Sequence, residues 1–169
     1  LAARLPAQYV RVFIQETAPG WGASRMERLG RYELREMIGE GAMARVYKAY
    51  DPDIDRTIAI KVLKPHLSND TQYRARFLRE ARAAGLLSHP NIVTIYDVGV
   101  EGQRSYIAME LIDGMTLADL LRVERQFSVR EIVDIGIELC RALDYAHKKG
   151  LIHRDVKPGN IMLGEDRRT

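Results

Sequence analysis

The octapeptide "HRDVKPGN", residues 153–160, sets an acid, two cations, a proline, a glycine and an amide within eight residues. Asp155 is followed two residues later by Lys157 and five residues later by Asn160. A second stretch, "IGEGAMARV" from Ile38 to Val46, places Gly39 and Gly41 between two segments that read as strands. Glycines in such a turn let the backbone approach a phosphate closely, with N–H groups aimed at its oxygens. A dinucleotide fingerprint would need a helix to open directly after the glycines, whereas here a strand follows. The Gly-Lys-Ser/Thr of a Walker A loop is absent as well. By itself Gly-x-Gly fits a bulged hairpin equally well, so its meaning depends on what lies beyond it.

Lys61 comes next, inside "RTIAIKVL". Strand alternation turns Ile58, Ile60 and Val62 to one side and Ala59 and Lys61 to the other. One reading makes Lys61 a solvent-facing residue of a half-buried sheet. The functional reading has its ammonium reach phosphate oxygens while a carboxylate holds it charged and oriented. Glu80, on the helix that follows, is the candidate carboxylate.

Several elements must position these groups. "YELREMI", "ARVYKAY" and "RTIAIKVL" read as strands, as do "PNIVTIYDVG" and "RSYIAMEL" about the turn "EGQ". Residues 69–87 read as a helix with Phe77, Ala81 and Ala84 on its buried stripe and Glu80 beside it. Beyond Gly114 the pattern is helical. Thr116 with Asp119 is an acidic variant of the capping box, and Ser128 with Glu131 is its standard form. The helix opened by Ser128 carries Ile132, Ile135, Gly136, Leu139, Leu143 and Ala146 on one face. Lys148, Lys149 and Gly150 close it. Strands with one helix followed by helices predict an α+β protein in two layers or lobes.

Composition narrows the class. An apolar share of 46% and a charged share of 29% describe a soluble globular chain. Lys and Arg total 26 against 23 Asp and Glu and are well mixed, which argues against a nucleic-acid partner. The single cysteine, Cys140, cannot form an internal disulfide, suits a reducing compartment, and reads as a small core residue. No apolar run is long enough to span a membrane, so a cytoplasmic location is expected, leaving open an anchor beyond residue 169. His66, His89 and His147 lack metal-ligand spacing. Residues 1–30, with "ETAPGWGASR", read as a flexible extension, in which Trp21 has no expected partner. The first residue is leucine, so a start missing or trimmed is expected, with Met26 a candidate natural start.

Taken together, the stretches resemble the protein kinase family, most closely the bacterial Hanks-type serine/threonine kinases. "IGEGAMARV" matches the glycine-rich strand–loop–strand, and "AIK" ending at Lys61 matches the third-strand lysine. "FLREARAAGLLSHPNIV" matches the helix bearing its partner, Glu80. "YIAMELIDG" matches the strand into the hinge, and "LIHRDVKPGNIML" the catalytic loop. The resemblance runs from about residue 30 to residue 163. It implies a two-lobe kinase fold, with residues 31–112 as N-lobe and hinge and 113–169 as a partial C-lobe.

The resemblance also implies roles. Asp155 would accept or orient the proton of a Ser/Thr hydroxyl on a protein substrate, and Lys157 would neutralise the moving γ-phosphoryl of ATP. Asn160 would hold Mg2+, and Lys61 with Glu80 would complete the catalytic set. ATP would lie against Ile38, Gly39, Glu40, Gly41, Ala42, Met43, Ala44, Arg45, Val46, Ala59, Lys61, Met109, Glu110, Ile112 and Met162. Met109 is the gatekeeper position, and Glu110, Leu111 and Ile112 supply backbone to adenine. His153 would pack in the internal spine, and Arg154 would anchor an activation segment. Pro158 should hold Lys157 extended.

Two departures stand out. Ala44 replaces the third glycine, and no Asp-Phe-Gly follows before Thr169. This chain is therefore expected to be a kinase fragment, inactive alone, with an apolar patch exposed from Ile132 onward. A non-catalytic nucleotide-binding fragment or pseudokinase, and a small-molecule phosphotransferase of kinase-like fold, remain alternatives.

Overall fold

A computed structural model describes residues 8–12 and 27–165. Trp21, Met26 and most of the expected extension lie outside the described residues. Two compact units emerge. One takes in residues 27–87 and 94–111, the other residues 8–12, 88–93 and 112–165.

The first unit is built on a six-stranded antiparallel sheet. Its strands are β2 (Glu27–Leu29), β3 (Tyr32–Glu40), β4 (Ala44–Asp51), β5 (Arg56–Leu63), β6 (Ile95–Glu101) and β7 (Arg104–Met109), in the order β2-β3-β4-β5-β7-β6. β5 is paired on both edges, with β4 and β7. Both of its faces are covered, which explains its nearly continuous apolar sequence. Ile58, Ile60 and Val62 join Leu29, Tyr32, Leu34, Ala49, Tyr106 and Ala108 in one core. On the opposite face Leu63 packs with Ala44, Ile107, and Phe77 and Ala81 of helix α2 (Thr71–Ala84). The helix opens where Asp70 accepts the N–H groups of Gln72 and Tyr73, at 2.8 and 3.2 Å. Its buried residues are the expected Phe77, Ala81 and Ala84. A four-residue helix, α1 (Pro65–Ser68), precedes it; Pro65 at its first turn was its one sequence signal.

The second unit holds β8 (Gly114–Thr116), α3 (Leu117–Arg122), α4 (Val129–Lys148) and β9 (Ile161–Glu165). β1 (Gln8–Val12) pairs with β9, giving the strand order β1-β9-β8. That pairing differs from the flexible extension expected for residues 1–30: residues 8–12 are strand, and residues 27–29 form β2. Ile161 and Leu163 of β9 form the core with Leu117, Leu120, Phe127, Ile135 and Leu139. Gly114 lies opposite Gly164 so closely that a Cβ at Gly114 would collide with the Leu163 carbonyl. Both expected caps are present. The Thr116 hydroxyl accepts the Asp119 N–H at 3.0 Å, and Ser128 and Glu131 form a full capping box.

Residues 88–93 belong to this second unit although they lie between α2 and β6. The Ser88 N–H donates to the Tyr145 hydroxyl at 3.3 Å, and the Asn91 amide donates to Glu138 at 2.9 Å. The His89 ring lies 5.1 Å from that of Tyr145. Its Nδ1 accepts the Asn91 N–H at 3.1 Å.

The apolar face of α4 divides into a covered part and the exposed patch expected from Ile132 onward. Ile135 and Leu139 pack against the β9 core, and Ala142 and Ala146 are buried. Ile132 is 58% exposed, and Val129, Val133 and Ile137 are exposed too. Cys140 is exposed rather than a core residue. It lines a shallow groove with Val133, Gly136 and Ile137. The helix has apolar residues on more than one face, and the spacing of Ile135, Leu139, Ala142 and Ala146 places Cys140 away from β9.

Ile60→Ala should lower the unfolding free energy of the first unit by about 2–5 kcal/mol, because Ile60 is wholly buried. Asp70→Ala should cost about 1 kcal/mol through the lost cap. Urea midpoints of the two variants would show whether the order holds.

Candidate active site

In the first unit, cross-strand register collects the predicted nucleotide residues. Val46 stands opposite Gly39 on one side and Lys61 on the other, and Lys61 stands opposite Ile107. One step along, Ala59 stands opposite Lys48 and Met109. Directly opposed residues share a face, so Val46, Lys61, Ala59 and Met109 lie on the face whose other end, at Ala44, Leu63 and Ile107, is packed by α2. Lys61 is only 4% exposed. The reading of Lys61 as a solvent-facing residue is therefore wrong: both faces of β5 are covered. A buried ammonium needs partners to remain charged.

Glu80 sits three residues after Phe77 and one before Ala81, near the sheet-facing side of α2. Its Oε1 accepts from Arg76 Nε at 2.8 Å. Arg76 was not singled out in the sequence, although its i,i+4 spacing to Glu80 was the available signal. The glycine hairpin turns between β3 and β4, with the Gly41 N–H donating to the Ala44 carbonyl at 2.8 Å. Ile38 and Met43 are exposed at this hairpin, whereas Ala44, which replaces the family's glycine, is buried. The Glu110 N–H is taken by the Thr94 carbonyl at 2.9 Å.

In the second unit, residues 153–160 form a closed loop. The Asn160 side chain is wholly buried, and its Nδ2 donates both to the Asp155 backbone carbonyl at 2.8 Å and to Asp155 Oδ2 at 3.0 Å. Lys157 Nζ lies 3.2 Å from the same Oδ2. The His153 Nδ1 accepts the Asp155 N–H at 3.2 Å. Lys157 is extended, at φ −154° and ψ 161°, as Pro158 requires. Arg154 has φ +64°, a left-handed conformation uncommon for a residue with a side chain. Backbone strain of that kind clusters where function fixes geometry. The Lys157 ammonium holds the Asp155 carboxyl below the usual aspartate range; burial opposes it, and the Asn160 amide adds a smaller lowering effect. Ile112 is buried in this unit, and Met162 lies on β9 between the core residues Ile161 and Leu163.

The donor set suits a hard cation in one respect. Asn160 Oδ1 is buried and accepts no hydrogen bond, so an oxygen ligand beside an ionised carboxylate stands ready. The described residues contain no cluster of three or more acidic, His or Cys side chains able to hold a metal. Magnesium commonly takes one or two protein ligands and completes its shell with phosphate and water, and this pair fits that pattern.

Residues 32–168 match the protein kinase domain family. The chain belongs to the protein kinase family. It is 44% identical over 145 residues to the probable serine/threonine-protein kinase PknB of Bifidobacterium longum, covering 80% of this chain and 21% of that protein. Against the serine/threonine-protein kinase PknJ of Mycobacterium tuberculosis it is 46% identical over 132 residues, covering 78% and 22%. The crystal structure of the Mycobacterium tuberculosis PknI kinase domain superposes with a TM-score of 0.74 at 34% identity, covering 85% of this chain and 59% of that one. This kinase chain thus spans about a fifth of the length of the curated relatives it matches. The fold is protein-kinase-like, and the relatives are bacterial serine/threonine kinases.

Replacing Lys157 with alanine should raise the Asp155 titration midpoint toward that of an ordinary aspartate, because the cation that favours the ionised form is gone. Asn160→Ala should move it the same way by less. Carboxyl carbon shifts followed by NMR from pH 2 to 6 would read both. A midpoint unmoved by Lys157→Ala would contradict the geometry.

Proposed function

We propose that this protein is part of a serine/threonine protein kinase that transfers the γ-phosphoryl group of ATP to protein hydroxyls. The observation that carries the reading is the closed loop of residues 153–160, in which Asp155 is ionised, held by Lys157 and Asn160, and half exposed. Asp155 takes the proton of the substrate hydroxyl as the new O–P bond forms and the bond from the γ-phosphorus to the bridging oxygen of ADP breaks. Lys157 offsets charge on the moving phosphoryl group. Lys61, oriented through Glu80, binds phosphate oxygens of the nucleotide, and the Gly39–Gly41 hairpin presents backbone N–H groups to them. Magnesium, when bound at Asn160 with the phosphates, supplies charge neutralisation. Positioning and electrostatics account for most of such catalysis.

Two supports lie outside the loop: the family match, and the burial of Lys61 on the same sheet face as Val46, Ala59 and Met109. A cytoplasmic placement goes with this reading, since ATP is the substrate. No helix among the described residues is long and apolar enough to cross a membrane.

Residues 1–169 contain no Asp-Phe-Gly sequence. That observation favours a second reading for this chain taken alone, a nucleotide-binding module without turnover. With radiolabelled ATP and a Ser/Thr peptide, we expect no transfer by residues 1–169 and clear transfer by the protein expressed from its whole gene. In the latter, Asp155→Asn should cut the rate by about 10²–10⁴-fold. Transfer undiminished in that variant would overturn the assignment. A thermal-shift titration of residues 1–169 with Mg-ATP separates binding from catalysis, since a bound nucleotide raises the melting temperature.

A further inference from the structure

Glu40 separates the two glycines of the hairpin, and its side chain engages two cations. Its Oε1 accepts from Arg45 Nε at 3.1 Å and lies 2.9 Å from Lys64 Nζ. Arg45 is its direct partner across β3 and β4. Lys64 immediately follows β5, three residues beyond Lys61, and its backbone N–H donates to the Met43 carbonyl at 2.9 Å. The hairpin tip is thus tied to the end of β5 through Met43, and its β3 limb is tied to the same residue through one carboxylate. Lys64 first, then Arg45, holds that carboxyl below the usual range, so it is ionised at neutral pH.

We propose that Glu40 is the positioning residue of the phosphate loop: its carboxylate pins the hairpin to Arg45 and Lys64 and so fixes the loop against the strand that carries Lys61. The phosphate part of this inference rests on the function proposed above. The pin itself is a property of the nucleotide-free chain. Ion pairs near the surface, with side chains partly in water, add little to global stability, so Glu40 acts on local opening of the loop rather than on unfolding.

Amide hydrogen exchange at Gly41 and Lys64 tests it in the 169-residue chain. Glu40→Gln should speed exchange at both amides about fivefold and leave the melting temperature unchanged. Lys64→Met should act in the same direction, and the double variant should exchange no faster than Glu40→Gln. Sodium chloride at about 1 M, where the screening length falls to about 3 Å, should bring the unaltered chain close to Glu40→Gln while hardly affecting that variant. Exchange unchanged in Glu40→Gln, or single effects that add in the double variant, would overturn the pin. Calorimetry with Mg-ATP then reads the phosphate role, with several-fold weaker binding expected for Glu40→Gln. Equal or tighter binding by a variant with faster exchange overturns that role. Absence of Mg-ATP binding by the unaltered chain, with the exchange pattern intact, refutes the nucleotide reading and leaves the pin standing.

Discussion

The pleat of β5 is the constraint on which the first unit depends. Ile58, Ile60 and Val62 must enter one core, so Ala59, Lys61 and Leu63 are committed to the other face. A one-residue slip would exchange the two sets and send a lysine into the core around Ile60. Pairing on both edges makes that slip costly, because β4 and β7 would lose register as well. Lys61 is therefore placed by the packing of its neighbours. Its burial is the unavoidable result of a strand covered on both sides. That is a strong reason to look for carboxylate or phosphate partners, since an isolated buried ammonium would surrender its proton.

The second unit solves a different problem with a shorter stretch of chain. A half-exposed carboxylate on a loop would ordinarily sample many orientations. The wholly buried Asn160 prevents this by donating to the backbone and to the side chain of the same aspartate. Pro158 sets the extended residue before it and the short 3-10 turn that delivers Asn160 inward. The spacings of two and five residues are thus geometric: Lys157 reaches the Asp155 carboxylate from the extended segment, and Asn160 reaches it from the turn.

Much of this was legible in the sequence. Alternation located β3, β4, β5 and β7, and the stripe Phe77, Ala81 and Ala84 was correct residue by residue. Both caps, at Thr116 and Ser128, could be read because side-chain oxygens satisfying backbone N–H groups leave a local signature. Contacts distant in sequence were not legible. Nothing near Glu138 or Tyr145 announces that residues 88–91 will bind there, and the apolar run of "RTIAIKVL" hints at two covered faces without showing what covers Lys61. Cys140 on α4 was misjudged for a related reason. Apolar residues occur on more than one side of that helix, and only its packing against β9 decides which side is inward. Glu40 was expected for its place between glycines, whereas its bond to Lys64 depends on β5 returning beside the hairpin.

The excursion of residues 88–93 bears on how such a molecule can be recombined. The chain passes between its two units at 87/88, at 93/94 and again at 111/112. A single crossover at 111/112 between two homologous genes would join Ser88 and Asn91 from one parent to Glu138 and Tyr145 from the other. The two halves would inherit a mismatched clasp whenever the parents differ at those four positions. Chimaeras that move residues 88–93 together with α4 would keep it matched, so inheritance in this fold follows hydrogen bonds rather than the order of the chain.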